Sequence, residues 1–259
     1  MDQLLNTVLL RPYVFGFLAA FLLASAVDLG WRRTLRFGAA VWPIAWLAEF
    51  ASTRWGVPFG LYHYTGTTRG HELFIADVPF MDSASFMFLA YAAFCLARLV
   101  QGGAWSVSGA ARPGPEGGRA PSASLIVLTG FLMMALDVVI DPLAVRGDRW
   151  FLGHIFSYAH EGAYFGVPLS NFVGWWLVGA AGIFAYRLVG GVTGRRPGPG
   201  VALYYAVLGF NLAMTVWIGE WFLAAIGSVW HALLGLALWM VSRREGAAAT
   251  VAAREIRGV

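Results

Sequence analysis

Residues 122–144 read SASLIVLTGFLMMALDVVIDPLA, a run whose only charged side chains are Asp137 and Asp141. A helix that crosses the hydrocarbon of a bilayer needs about 20 predominantly apolar residues. Strands are far shorter, so a run of this length predicts a membrane-spanning helix. Six more runs of the kind lie at 12–30, 37–54, 79–101, 168–189, 201–219 and 221–241. The expected fold class is all-α, a polytopic membrane helix bundle of about seven transmembrane helices. A single transmembrane domain, 1–242, holds them, and 243–259 is a short cytoplasmic tail. The last two spans are separated by little more than Gly219 and Glu220.

The whole composition agrees with that run. Of 259 residues, 59% are hydrophobic and 12% charged, with a mean hydropathy of +0.65. Soluble domains carry about 25% charged residues, so lipid rather than one core must cover the apolar surface. All 18 basic residues are arginine. Without lysine there is no Schiff base, which excludes retinal-binding seven-helix proteins. The lone Cys95 excludes an intramolecular disulfide and a cysteine-rich metal site. A pI near 9.5 invites a nucleic-acid reading, but arginines scattered between apolar runs fit membrane topology and not a phosphate-binding face. No nucleic acid partner is expected.

The arginines divide unequally between the two sides. Arg11, Arg54, Arg69, Arg146 and Arg149 fall on the side of the N-terminus, and the other thirteen on the opposite side. The positive side faces the cytoplasm, which puts the N-terminus outside and the C-terminus inside the cell (inner) membrane. Gly102–Pro121 and Gly190–Gly200, rich in Gly and Pro, read as cytoplasmic linkers.

Charged side chains inside spans are costly and suggest function. Asp28, near the cytoplasmic end of the first span, is expected to pair with Arg32 one turn on. Glu49 lies about one turn inside the outer end of the second span. Asp137 and Asp141 lie four apart on one face of the fourth, with Pro142 setting Asp141 at the outer boundary and Asp137 about 6 Å deeper. All three acids then share the outer third of the membrane. Taken singly, Asp141 caps a turn and Glu49 bonds a neighbouring helix; taken together, they favour a functional pocket.

Two outer loops carry Trp55–Thr65 and Gly162–Trp176, with aromatics and glycines that favour capping or re-entrant loops over solvated ones. A weak repeat relates them. Val78-Pro79-Phe80-Met81-Asp82 matches Val167-Pro168-Leu169-Ser170-Asn171 at an offset of 89, while Glu49 matches Asp137 and Tyr62 matches Trp150 at 88. Parallel repeats place a site at their interface. The five histidines lack any paired ligand spacing; His71-Glu72 and His160-Glu161 are the nearest approach to a metal site, and a metal-free site is expected.

Glu49, the run Gly56-Val57-Pro58-Phe59-Gly60-x-Tyr62-x-Tyr64-Thr65, then Asp137-x-x-x-Asp141-Pro142, Gly147-x-x-Trp150 and Tyr164–Trp175 together resemble the carotenoid-biosynthesis membrane protein family. The resemblance covers about Trp46 to Trp176. Characterised members of that family are carotenoid 1,2-hydratases, including the gamma-carotene 1′-hydratase and bisanhydrobacterioruberin hydratase types. The resemblance implies a cofactor-independent hydro-lyase. It would add water across the terminal C1=C2 bond of an acyclic (psi) carotenoid end, giving a tertiary alcohol. The substrate would come from the lipid bilayer, and other carotenoid-biosynthesis enzymes are candidate neighbours.

Such a reaction needs a carboxylic acid that is protonated near neutral pH, a second group that orients water, and aromatic faces for a tertiary carbocation. On the resemblance, Asp137 is the expected proton donor, Asp141 and Glu49 hold protons and orient water, and Asn171 bonds that water. Tyr62, Tyr64, Trp150 and Trp175 are the expected substrate-binding walls. Two other classes stay open: a transport-type or lipid-binding membrane protein that uses the acids for protons or polar groups, and a structural subunit of a pigment-synthesis assembly.

Overall fold

Helices follow the apolar runs along the chain. A computed structural model describes residues 2–102 and 118–257, with side chains described for 5–102 and 118–243. Its helices are α1 (Asp2–Leu10), α2 (Pro12–Asp28), α3 (Trp31–Trp55), α4 (Phe80–Gln101), α5 (Ala123–Ala144), α6 (Leu169–Leu188), α7 (Gly198–Trp217) and α8 (Trp221–Arg257). Short strands lie in the connections: β1 (Tyr62–Tyr64), β2 (Phe74–Ile75), β3 (Val78–Pro79) and β4 (Phe156–Tyr158). Most of the linker read at Gly102–Pro121, residues 103–117, lies outside the described residues.

The chain is an all-α polytopic membrane bundle. Each expected span corresponds to one of the helices α2 to α8, and five of these, α4 to α7 and α8 through Arg243, are long and apolar enough to cross a bilayer. The 17 residues of α2 are as apolar but reach only about 26 Å. The 25 residues of α3 begin at Trp31, earlier than expected, because Arg32, Arg33 and Arg36 continue the helix beyond its apolar part. α7 and α8 are separate helices, broken at Gly219, whose φ of 80° suits glycine.

Two local expectations need correction. Asp28 does not pair with Arg32: Leu29 and Gly30 (φ 83°) break the chain after α2, so Arg32 starts another helix. Its partner is Arg98 on α4, at 2.5 Å and 3.1 Å. Nor does Asp141 mark the helix boundary, since α5 runs through Pro142 to Ala144. A proline removes one backbone bond, and in the last turn the loss is small beside the burial of Leu143.

The helix packing follows the repeat. α3 with α4 forms one pair and α5 with α6 a second, each joined by a capping loop, and the pairs contact through α3 with α6 and α4 with α5. Glycines bring the second pair close. A Cβ on Gly130 would come 2.7 Å from the Trp176 ring and 2.9 Å from the Ala180 nitrogen, so the α5 and α6 backbones touch. The two capping loops are tied to each other. β1 and β4 form an antiparallel ribbon in the register Tyr62 to Tyr158, His63 to Ser157 and Tyr64 to Phe156. Thr65 and Ala159 extend it by backbone bonds to Ile155 and Leu61. The strand facing Tyr62 is therefore 156–158, and the repeat match of Tyr62 with Trp150 is not a strand pairing.

Candidate functional site

α4 and α6 open alike. Pro79 and Pro168, in extended conformation, precede them, Val78 and Val167 are buried just before, and the third helical residue is Asp82 in one and Asn171 in the other. Where these helices start and α3 and α5 end, a cavity of about 150 Å³ lies beneath the β1–β4 ribbon. A cavity of that volume holds a benzene-sized group.

One wall is built on α5 and α6. Asn171 donates through Nδ2 to Asp137 Oδ2 at 2.6 Å and to Asp141 Oδ2 at 2.7 Å. Asp141 Oδ2 also accepts from Trp175 Nε1 at 3.3 Å and from the Tyr158 hydroxyl at 3.4 Å. The two carboxyl groups, one turn apart, are within hydrogen-bonding reach of each other. Packed behind Asn171, Asp137 is fully buried and does not face the cavity.

The facing wall is built on α3, α4 and β1. Glu49 lies against the cavity, and its Oε2 is buried without a hydrogen-bond partner among the described residues. Tyr64 lines the same cavity as Glu49 and Asp82. Arg11, at the junction of α1 and α2, is 1% exposed. Its Nη2 meets Glu72 Oε1 at 2.8 Å, and its Nη1 lies 3.6 Å from Asp82 Oδ1.

The ribbon supplies neutral donors overhead. Burial pushes the phenols of Tyr62 and Tyr64 well above their ordinary range, and the Glu49 carboxyl beside them adds to it. The Tyr158 phenol is pushed up by burial and by Asp141. Away from the acids the cavity is apolar, with Val14, Phe17, Phe88, Val207 and Phe210 along it. Tyr13 stacks on Phe210 at 5.2 Å and Trp175 on Phe86 at 4.5 Å.

Seven of the residues singled out from sequence therefore surround one space: Glu49, Tyr62, Tyr64, Asp141, Trp150, Asn171 and Trp175. Asp137 joins them only through Asn171 and Asp141. Arg11, Asp82 and Tyr158 were not among them, although all three line the cavity. The repeat held the signal for Asp82, which matches Asn171, and alternation of aromatic and polar residues at Phe156-Ser157-Tyr158 held it for Tyr158. The histidine pairs come apart: His71 is exposed while Glu72 serves Arg11, and both His160 and Glu161 are exposed.

The site thus lies within a membrane helix bundle that gathers carboxyl groups and aromatic rings around one pocket, and the whole defines an integral membrane protein. The chain belongs to the carotenoid biosynthesis protein family, whose model matches residues 8–241. That match takes in α2 to α7 and α8 as far as residue 241, well beyond the segment that carried the resemblance, and places the protein in carotenoid biosynthesis. No curated protein and no solved structure matches the chain.

One packing contact holds the aromatic wall in place. A Cβ on Gly174 would stand 2.6 Å from Phe59 Cδ1 and 2.9 Å from the Pro58 carbonyl oxygen. Phe59 lines the cavity beside the stacked pair Phe86 and Trp175. Gly174→Ala is expected to cost about 1–3 kcal/mol by overpacking. A lowered thermal midpoint in detergent would report it, and an unchanged midpoint would mean the Pro58–Phe59 turn yields freely.

Proposed function

We propose that the protein is a carotenoid hydratase that adds water to the terminal C1=C2 bond of an acyclic carotenoid end. The observation that carries this reading is the cavity itself, in which carboxyl groups and aromatic faces enclose a volume suited to an end group and not to a whole polyene. The rest of the molecule would extend outward past Phe17 and Phe210, entering sideways from the bilayer.

The balance of the reaction is simple. The π electrons of the double bond take a proton from a carboxylic acid, forming a C–H bond at the less substituted carbon and a tertiary cation at the other. A water oxygen closes the C–O bond, and its extra proton passes to a base and from there back to the donor. The product is the alkene plus one water, with no electron gained or lost.

The geometry moves the proposed donor from Asp137 to Asp141, because Asp141 is the one that faces the cavity. Three donors converge on Asp141 Oδ2, leaving Oδ1 to carry the transferable proton. Asp137, tied to the same Asn171 amide, shares that proton and steadies the pair. Across the cavity the unpartnered Glu49 Oε2 orients the water. Trp175, Trp150 and Tyr62 line the cavity and would stabilise the cation through their rings. On the arginine distribution, the acid end lies at the outer side of the inner membrane.

The test is expression in a host that accumulates lycopene. Products heavier by one or two waters support the reading. Unchanged lycopene in the presence of the folded protein would overturn it in favour of a binding or transport role.

A further inference from the structure

The hydration reading leaves the base that receives the water proton without a residue. Resting on that reading, we infer that Asp82 is this base and that Arg11 is the positioning residue that holds it as an anion.

The two walls differ electrostatically although the repeat builds them alike. Asp141 stands in the last turn of α5, where a helix dipole opposes negative charge. Asp82 is in the first turn of α4, where the dipole stabilises negative charge. Arg11 then adds a full positive charge. Arginine does not deprotonate in proteins, and it carries five donors. Glu72 engages Nη2 at 2.8 Å, which leaves Nη1 toward Asp82 at 3.6 Å. Among the cavity-lining side chains Arg11 is the one cation. It arrives from outside the repeat, at the α1–α2 junction, so only one wall receives it.

Asp82 therefore has what a base requires: a carboxylate in the first turn of a helix facing the Arg11 guanidinium, a place on the cavity wall, and Tyr64 on the same wall with Glu49, the group that orients the water. In the second half of the reaction the water O–H bond breaks as the C–O bond forms, and Asp82 takes the proton. Tyr64, Tyr62 and Tyr158 line the way back to Asp141, so the proton returns and both groups are reset.

The split between the two steps supplies the test. In deuterium oxide, a variant without the base still protonates the alkene through Asp141 and can reverse, washing deuterium into the end group without forming alcohol. Asp82→Asn is expected to lower hydration by about a hundredfold or more, with deuterium incorporation kept within about tenfold of the wild-type turnover on the same scale. Arg11→Met should show the same split and Arg11→Lys should restore hydration, since a merely structural role would remove both readouts together. Wild-type hydration by Asp82→Asn would overturn the assignment. So would loss of exchange together with hydration in a folded variant. Asp82→Ser, which leaves room for a water, serves if Asp82→Asn does not accumulate. Absence of hydration by the wild-type protein would instead overturn the reading on which the inference rests.

Discussion

Asp141→Asn is expected to abolish most of the hydration activity, by about 10²–10⁴-fold, the range that a positioned general acid contributes. The amide keeps the size of the carboxyl and can still accept from Asn171, Trp175 and the Tyr158 hydroxyl, all of which now reach Oδ2. What it lacks is a proton that an alkene can take. Deuterium exchange into the end group should fall with hydration, because protonation precedes both. Asp137→Asn should have the smaller effect, because Asp137 reaches the cavity only through Asn171 and Asp141. Turnover of lycopene-type substrates by purified variants checks both. Equal and full activity in the two would remove the α5 pair from the mechanism.

The second large effect lies at the other end of the bundle. Asp28 is buried and accepts from Arg98 Nη1 at 2.5 Å, Arg98 Nη2 at 3.1 Å, the Tyr91 hydroxyl at 3.2 Å and the Arg196 backbone nitrogen at 2.6 Å. One carboxylate thus joins α2, α4 and the segment before α7. Asp28→Asn leaves the Arg98 charge enclosed without its partner, a loss of about 3–5 kcal/mol. Replacing both partners, Asp28→Leu with Arg98→Met, removes the unpaired charge and should recover most of the stability. Thermal midpoints in detergent measure both. A single variant as stable as the wild type would show that the pair contributes nothing. Activity per folded molecule should not change, because the pair is remote from the cavity.

These cases also mark how far the sequence could be read. Helices and their order were legible because lipid forces whole apolar runs into helix, and the run at 122–144 leaves no other solution. Glu49, Asp141 and Asn171 were legible because a polar group in an apolar run needs a reason. Partners were not. Asp28 offered Arg32 at helical spacing, and the break at Gly30 that sent it to Arg98 depends on tertiary packing as much as on the residues beside it. Arg11 counted as one topological charge among five, and nothing near it in sequence announces a carboxylate 61 positions away. The ribbon between Tyr62–Tyr64 and Phe156–Tyr158 was hidden for the same reason, since three-residue strands are set by what faces them.

Asp82 and Asn171 occupy the same position of two equivalent helices, yet one is a carboxylate and the other an amide. A pocket with identical walls would treat the two faces of a flat alkene alike. On the proposed hydration the hydrogen would arrive from the α5 side and the oxygen from the α4 side, an anti addition. The alcohol carbon, bearing two methyl groups, conceals this. Its neighbour keeps half of the record: in heavy water that carbon would become a stereocentre whose single configuration reports the face that took the proton.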